Sequence, residues 1–310
     1  MKRQLTSVIL LLMCLALSAD FYKYVWDTGR SLEVRGNIIE QDNNILAIGN
    51  GKQLYVYSMF DIYNFTLNGA YTLDEDIQGI EILTSKNVAV AINSIISSKV
   101  SIDSLDTMGR TIPVNIYNGN DLQQDGSHLY VAHEDTGLTI YDMGNNMSYN
   151  IISNYHDAWG LNSIAVKWPL LYATNNHGVA TINLSNVTRP MPFGTNYNIF
   201  KCDAVANYND LLFAASSRTL NILDISIPGK MKSKDSLYYP YLIRGVKVHN
   251  NDLYVILGEG GMEIYTINAN NTLTHSTSYN DGNYLYDIGF YADYIFMLSK
   301  DKYLRILQYN

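Results

Sequence analysis

The sequence predicts an all-β protein: a seven-bladed β-propeller closed by an N-terminal strand that completes the last blade. Three observations lead to this prediction. A short hairpin pattern recurs seven times at intervals of about 41 to 43 residues, the repeat length of four-stranded propeller blades. Tyr and β-branched residues, which favour strands, are abundant. The chain ends within an incomplete blade and begins with a surplus strand, so its two ends complement each other.

The clearest copy of the hairpin spans residues 253–268, LYVILGEGGMEIYTIN. Apolar residues alternate with other residues on both sides of the turn Gly258-Glu259-Gly260-Gly261. Alternation with a period of two indicates half-buried strands, and glycine allows the positive φ that a tight turn requires. We therefore predict two antiparallel strands here, B and C, as the middle pair of one blade.

The other copies of the hairpin predict the middle strands of the remaining blades. They begin at Ile45, Val88, Leu129, Leu171, Leu212 and Ile295. An alternating run upstream of a hairpin predicts an inner strand A, as at residues 80–82, and residues 32–34 are the predicted strand A of the first blade. A looser run downstream predicts an outer strand D. An open stack of β-repeats is the alternative, but it leaves the last hairpin without the outer partner that residues 21–26 can supply.

The first 19 residues have the plan of a signal peptide. A basic start and an apolar run at residues 8–17 are followed by small residues. A membrane anchor is the alternative, but this run is shorter than the roughly 20 residues that span a bilayer. We therefore expect a secreted, extracellular protein in which residues 20–310 form a single propeller domain. Cys202 would be the only cysteine of the mature chain, which leaves no internal disulfide.

Several hairpins end in a phrase with an acid or Asn, an apolar residue and often Ser before Pro, most clearly at residues 223–228, LDISIP. Together with LYVAHEDTGLTIYD at residues 129–142, this pattern resembles the LVIVD-repeat family of secreted or surface β-propellers. The resemblance implies a propeller fold and an extracellular setting, and it implies no agreed activity and no catalytic residue. The aspartate after strand C is expected to accept backbone N–H bonds in an Asx-type turn.

Propeller connectivity assigns the loops to two faces. The D–A connections and the B–C turns lie on one face, here called the D–A face, and the A–B and C–D connections lie on the other, the C–D face. The N-glycosylation sequons fall at the end of strand C or in C–D connections, at Asn64, Asn146, Asn183, Asn186 and Asn270. Glycans there would cover the C–D face and leave the D–A face free, unless the host lacks the pathway.

Aromatic and acidic residues of the D–A connections converge on the central mouth of the ring, which predicts a ligand-binding site. Aromatic rings give a large contact area at low entropic cost and favour protein or sugar partners. The structural alternative is that these aromatics seal the seams between blades. The predicted ligand-binding residues are Trp26, Asp27, Asp121, His156, Asp157, Trp159, Asp203, Tyr241, Arg244, Tyr286 and Asp287.

The predicted function is a non-enzymatic binding or scaffold module that engages a protein or glycan at the D–A face, with no cofactor and no metal. A net charge of −8 without a basic stripe argues against a nucleic-acid partner. The sequence contains no GxSxG elbow, HExxH pair or phosphate loop, so no catalytic residue is predicted. One alternative is an extracellular hydrolase or lyase that uses acids or histidines at the mouth, for example His133, His156 and His177 with a divalent metal. Another is a self-associating coat or matrix protein.

Overall fold

The computed structural model describes most of the chain after residue 35 and one strand before it. The described residues are 22–27, 36–62, 64–73, 76–83, 88–93, 97–101, 111–114, 119–143, 149–156, 160–194, 197–300 and 302–309. The predicted signal peptide lies outside them. In the described part of the chain, no helix is long and apolar enough to cross a bilayer.

The regular elements of the described residues are β-strands. The strands up to residue 155 are β1 (Tyr22–Asp27), β2 (Ile38–Asp42), β3 (Ile45–Asn50), β4 (Gln53–Asp61), β5 (Asn64–Thr72), β6 (Ile77–Leu83), β7 (Val88–Asn93), β8 (Ser97–Ser101), β9 (Thr111–Val114), β10 (Gly119–Asp125), β11 (His128–His133), β12 (Gly137–Met143) and β13 (Tyr149–Tyr155). The later strands are β14 (Ser163–Lys167), β15 (Leu170–Asn175), β16 (Gly178–Asn183), β17 (Met191–Pro192), β18 (Tyr197–Asn198), β19 (Ala204–Tyr208), β20 (Leu211–Ser216), β21 (Thr219–Asp224), β22 (Lys232–Tyr238), β23 (Gly245–His249), β24 (Asp252–Ile256), β25 (Met262–Ile267), β26 (Leu273–Tyr279), β27 (Leu285–Tyr291), β28 (Tyr294–Ser299) and β29 (Lys302–Tyr309).

Antiparallel pairing joins these strands into six four-stranded sheets and one five-stranded sheet. Numbered along the chain, sheet I is β2–β5, sheet II is β6–β9, sheet III is β10–β13, sheet IV is β14–β18, sheet V is β19–β22, sheet VI is β23–β26 and sheet VII is β27–β29 with β1. In sheet IV the outer edge is divided between β17 and β18, which both pair with β16. The arrangement is that of a β-propeller, and the predicted all-β propeller fold is confirmed.

The inner strands of the sheets follow the predicted pattern with one correction. Strand A of sheet I is β2, residues 38–42, and not the predicted run at residues 32–34, which lies outside the described residues. The prediction failed because both segments alternate. Only β2 is joined to β3 by the tight turn Asn43-Asn44, where Asn43 takes the positive φ that asparagine tolerates.

The hairpin of sheet VI matches the prediction. The strands β24 and β25 pair antiparallel around the glycine-rich turn, and Ile256 lies opposite Met262. Gly258 and Gly261 both have positive φ, 59° and 73°. The turn is closed by backbone hydrogen bonds from Leu257 N to Gly261 O (2.8 Å) and from Gly261 N to Gly258 O (3.0 Å).

The first strand of the chain lies beside the last. Tyr22 pairs with Tyr309 and Trp26 pairs with Ile306, so β1 is the outer strand of sheet VII. Trp26 and Asp27 therefore belong to a strand and not, as predicted, to a D–A connection. The strand extends further than predicted because the partner strand β29 offers ladder positions through Arg305.

Apolar side chains fill the seams between consecutive sheets rather than a single central core. The seam between sheets V and VI contains Phe213 and Leu220 against Val246 and Val255, all buried. Further seam clusters join sheets I and II, III and IV, IV and V, and VI and VII. Another cluster joins the last sheet to the first, so apolar packing also links the two ends of the sheet sequence. Inner strands β2 and β27 of these two sheets are in direct contact.

A β-bulge recurs at the same place in four outer strand pairs. The register between strands C and D shifts after Val56, Ile140, Ile222 and Ile264, in sheets I, III, V and VI. A bulge bends its strand and increases the local twist. Its repetition indicates that these four sheets turn their outer edges in the same way relative to their inner edges.

Candidate functional site

The inner strands of all seven sheets surround a central cavity of about 900 Å³. One residue from each sheet forms its rim at the D–A face, and these residues are Asn37, Gln78, Asn120, Asn162, Asp203, Arg244 and Tyr286. Three predicted ligand-binding residues, Asp203, Arg244 and Tyr286, are therefore brought together on one rim. Asp121 and Asp287 also line the cavity, one residue further along their strands.

The carboxylates of Asp121 and Asp287 bind backbone amides of the adjacent sheets. Asp121 Oδ2 accepts hydrogen bonds from Ile164 N (2.9 Å) and Ser163 Oγ (2.7 Å), and its Oδ1 accepts one from Leu122 N (2.9 Å). The contacts with Ile164 and Ser163 join sheet III to sheet IV. A carboxylate that accepts three hydrogen bonds within the protein stabilises the neighbouring strands rather than a ligand.

Asp287 makes the equivalent contacts between sheets VII and I. Its Oδ2 accepts from Ile39 N (3.1 Å) and its Oδ1 from Ile288 N (2.8 Å). Lys247 of sheet VI completes the group with an ion pair to Asp287 Oδ1 (2.9 Å) and a hydrogen bond to Ile288 O (2.6 Å). The predicted mouth acids Asp121 and Asp287 are thus inter-sheet connectors.

Similar hydrogen bonds between sheets occur two residues further along the inner strands. Glu81 Oε1 of sheet II accepts a hydrogen bond from Gln124 N of sheet III (3.0 Å). Gln123 Oε1 of sheet III accepts one from Val166 N of sheet IV (2.7 Å). Long polar side chains of one inner strand therefore satisfy amides of the following strand, because the backbone groups at this edge face no further strand of their own sheet.

Glu40 lines the cavity, and burial strongly perturbs the pKa of its carboxyl. Burial raises the pKa of Glu40 to about 7, against an opposing effect of the Lys247 ammonium, and Asp287 raises it further. Burial also raises the pKa of Glu81, to which the nearby Glu40 contributes, and that of Asp121. Six carboxyls, of Glu40, Asp42, Glu81, Asp121, Asp203 and Asp287, line the cavity with one lysine, Lys247. The raised pKa of Glu40 means that part of this group is protonated at neutral pH.

On the D–A face, backbone hydrogen bonds join several D–A connections to the B–C turn of the preceding sheet. Leu161 N donates to His133 O (2.7 Å), Ile243 N to Ser217 O (2.7 Å) and Leu285 N to Gly258 O (3.0 Å). On the opposite face, the residue that follows strand C donates to an A–B turn, as Ile225 N does to Asp210 O (2.9 Å). These contacts agree with the predicted division of the loops between two faces.

Large exposed apolar side chains gather on the D–A face around the B–C turn of sheet V. Phe200 is 86% exposed and Tyr238 is 71% exposed, and Tyr241 and Leu242 are about two-fifths exposed. Both connections that carry these side chains bind the B–C turn of sheet V. At the start of the turn, Ser216 Oγ donates a hydrogen bond to Phe200 O, and at its end Tyr239 N donates one to Arg218 O (2.9 Å). These side chains therefore form one neighbourhood across sheets IV to VI.

Tyr241 and Arg244 are held in place by the next turn and the next connection. A Cβ on Gly260 would lie 2.5 Å from Tyr241 Cδ2, so the tyrosine ring rests directly on the glycine-rich turn. The guanidinium carbon of Arg244 lies 5.5 Å from the centre of the Tyr284 ring, a cation–π contact. The predicted residues Tyr241 and Arg244 are exposed and positioned on this face.

The remaining predicted ligand-binding residues do not lie together. Tyr286 packs against the seam cluster of sheets VII and I and contacts the Tyr284 ring at a tilt (4.9 Å between ring centres, 53° between ring planes), which is the seam role of the structural alternative. His156 is exposed at the end of β13. Asp157 and Trp159 lie outside the described residues.

The predicted site residues omit the exposed Phe200, Tyr238 and Leu242 and the cavity residues Glu40, Glu81 and Lys247. A signal for the cavity residues existed, since Glu40, Glu81, Gln123 and Lys247 occupy the same position in their inner strands. Phe200 belongs to a D–A connection from which the site was predicted, but the sequence does not show how exposed it is. Its exposure depends on how the connection after β18 folds over the turn of sheet V.

One cluster resembles a catalytic group without its geometry. On the outer strands of sheet VI, His275 Nε2 lies 2.7 Å from Glu263 Oε2 and 3.2 Å from Ser278 Oγ. In a serine triad the acid and the serine contact opposite ring nitrogens, whereas here both meet the same nitrogen. The described residues contain no group of three or more His, Cys, Asp or Glu side chains arranged to hold a metal ion.

Four of the five sequons lie in described residues. Asn64 is the first residue of β5 and Asn183 the last of β16, whereas Asn186 and Asn270 lie in C–D connections, and Asn146 is outside the described residues. In the last two sequons of these four, the asparagine Oδ1 accepts a hydrogen bond from the hydroxyl two residues later. Their position on the C–D face is as predicted, and their modification stays a prediction.

Comparison with known proteins supports the fold and no more. One similar solved structure is a chain of a crystal structure of the mitotic checkpoint complex, with a TM-score of 0.70, 12% identity, and 93% of this chain and 91% of that chain covered. Another is the computationally designed Ika8 protein, with a TM-score of 0.65, 9% identity, and 90% and 98% of the two chains covered. No protein-family model and no curated protein sequence matches this chain. The LVIVD-repeat assignment therefore stays a prediction.

Proposed function

We propose that this protein is a secreted, non-enzymatic binding or scaffold propeller that holds a protein or glycan partner on its D–A face. The observation that carries the proposal is the group of exposed large apolar side chains around the B–C turn of sheet V, led by Phe200 and Tyr238. Contiguous exposed apolar surface on a folded domain marks an interaction site, and aromatic anchors dominate the energetics of such sites.

The C–D face is the less suitable surface. Exposed apolar residues also occur there: Trp168 lies in the A–B turn of sheet IV, and Ile227 lies in the C–D connection of sheet V. The sequons at Asn186 and Asn270 lie on the same face. Secretion, supported by the composition of residues 1–19, would allow glycans there, and these would leave the D–A face as the open one.

The alternative function, an extracellular hydrolase or lyase, receives less support from the cavity. A carboxylate pair for hydrolysis needs oxygens directed at a substrate. The oxygens of Asp121 and Asp287 accept backbone and hydroxyl hydrogen bonds within the protein. The binding role is therefore the better use of the observed surface.

We also propose that the chain belongs to the LVIVD-repeat propellers and has seven blades closed by its N-terminal strand. The first proposal is supported by Asp224, whose Oδ1 accepts a hydrogen bond from Ser226 N (2.8 Å) within the phrase that carries the resemblance. The second is supported by the pairing of β1 with β29 and by the apolar cluster between sheets VII and I.

The test compares double variants of the two faces. Protein secreted with its own signal would be immobilised, and partners from the extracellular medium would be captured, identified by mass spectrometry and titrated individually. Phe200→Ala with Tyr241→Ala should weaken binding of a true partner at least about tenfold, because aromatic anchors commonly contribute more than 1 kcal/mol each. Trp168→Ala with Ile227→Ala, an equally apolar pair on the C–D face, should leave the affinity unchanged. The reverse result would place the working surface on the C–D face, provided that both variants unfold at the wild-type temperature.

A further inference from the structure

Basic side chains stand among the exposed aromatics of the D–A face. Lys201 follows Phe200 in the connection before sheet V, Arg218 is in the B–C turn of sheet V, and Arg244 precedes sheet VI. All three are exposed, and none has an ion-pair partner among the described residues. The basic–aromatic patch is defined here by Phe200, Lys201, Arg218, Tyr238, Tyr241 and Arg244.

The backbone that carries these cations is fixed. Lys201 N donates to Asn176 O (3.1 Å), and Lys201 adopts a left-handed φ of 49°, a conformation unusual for lysine. Arg218 O accepts from Tyr239 N (2.9 Å). A surface whose backbone is already ordered loses less entropy when it binds a partner.

Two of the cations lie near one acidic residue of the cavity rim. The pKa of Asp203 is raised by burial, while Lys201 and Arg244 both act to lower it. Three cations against the two acids Asp203 and Glu259 leave the patch with positive charge, on a protein whose net charge is −8.

The exposed acidic side chains in the described B–C turns of the D–A face lie at two places. Glu134 and Asp135 are in the B–C turn of sheet III, and Glu259 is in that of sheet VI, next to the Gly260 on which Tyr241 rests. The face is thus positive around sheet V and negative around sheet III. Such a separation of charge orients a partner of matching sign and excludes one of like sign.

We propose that the basic–aromatic patch binds a short polypeptide segment that combines acidic residues with aromatic or large aliphatic residues. This inference rests on the proposed binding function of the D–A face and adds the chemistry of the partner. Arg and Lys recognise carboxylates, and Arg does so with two parallel hydrogen bonds. Phe200, Tyr238 and Tyr241 offer apolar surface that a purely acidic ligand would not use.

Other ligand classes fit the same surface less well. A long polyanion such as a nucleic acid would be repelled by the overall negative charge and would need more phosphate contacts than three cations give. A neutral glycan would stack on the aromatic rings but would leave the exposed cations without partners. The acidic segment uses both kinds of side chain.

The proposal is tested by selecting short random peptides displayed on phage against the whole mature protein. Selected sequences should be enriched in Asp and Glu together with Phe, Tyr, Trp, Leu or Ile. Enriched peptides, synthesised with a fluorophore, should bind more weakly as salt is raised, because the ion pairs are exposed to solvent. Selection of basic or uncharged peptides that bind the D–A face would overturn the acidic-partner inference and leave the proposed function standing.

Charge reversal identifies the residues that act. Arg218→Glu and Arg244→Glu should each weaken binding of the selected peptides by about tenfold or more, because an attraction becomes a repulsion. Lys234→Glu, a matched reversal on the exposed outer strand β22, should change the affinity less than twofold. Peptides that bind equally well to all three variants and to the Phe200→Ala, Tyr241→Ala double variant would overturn both this inference and the proposed function.

Discussion

At the scale of single residues, polar side chains of the inner strands decide how the sheets are joined. Asp121 and Asp287 were expected to face a ligand, yet their oxygens accept amides of the next sheet. Glu81 and Gln123, two residues further along their inner strands, also accept hydrogen bonds from backbone amides of the next sheet. The cavity is therefore lined by groups that satisfy the backbone, and its charge is regulated by how many of the carboxyls hold a proton.

Glu40 predicts a dependence of stability on pH. Its pKa is raised from 4.5 to about 7 in the folded protein, so between these values the folded state holds a proton that the unfolded chain has lost. The stability that Glu40 contributes is therefore present below about pH 4.5 and is lost as the pH rises through about 7. The free energy of unfolding of the wild type should fall between about pH 5 and about pH 8, and Glu40→Gln should reduce that fall by about 1–3 kcal/mol.

The measurement is urea unfolding at a series of pH values, with Glu259→Gln as the control because Glu259 is exposed in a turn. The control should follow the wild-type curve. Parallel curves for wild type and Glu40→Gln would show that Glu40 does not hold its proton in the folded protein.

At the scale of the element, the hairpin is the unit that the sequence specifies, and its turns depend on particular glycines. Gly261 has φ 73°, and a Cβ at this position would lie 2.0 Å from Tyr279 O of the adjacent outer strand. Gly282 has φ 79°, but a Cβ there would meet nothing within 4 Å. The two glycines separate the cost of the backbone conformation from the cost of the close contact.

Gly261→Ala should destabilise the protein by about 3 kcal/mol or more, because it adds a backbone clash to the left-handed conformation. Gly282→Ala should cost about 1 kcal/mol, since only the conformation is unfavourable. Thermal and urea unfolding of the two variants check the difference. Equal losses would mean that the strand pair β25–β26 shifts to admit the methyl group at no cost.

The parts of the fold that were predictable from the sequence are those with local causes. Alternation and the glycines of residues 253–268 are visible within one hairpin, and the spacing of hairpins shows the repeat. The role of Asp121 was not predictable, because its partner Ile164 N lies in another sheet and depends on the angle between sheets. The prominence of Phe200 was missed for the same reason: its exposure is set by the connection folded over a neighbouring sheet.

At the scale of the whole molecule, the two chain ends meet in sheet VII. The outer strand β1 comes from the start of the chain and its partner β29 from the end, and no loop joins them. Elsewhere, apart from sheet IV with its divided edge, the outer strand follows its partner directly in sequence. The loss of β1 would leave the edge of β29 unpaired.

A circular permutant separates the role of β1 as a strand from its place at the start of the chain. Because Tyr22 pairs with Tyr309, residues 22–27 can follow Asn310 through a two-residue Asn-Gly-type turn and form the outer strand of an ordinary hairpin. A chain that begins at residue 28 without this addition should lose about 3 kcal/mol or more, since a whole edge strand is missing. The permutant should recover most of that loss in urea unfolding, and its amides in β29 should regain protection from hydrogen exchange. A truncated chain as stable as the full one, with β29 equally protected, would show that the ring holds together through the seam of sheets VII and I alone.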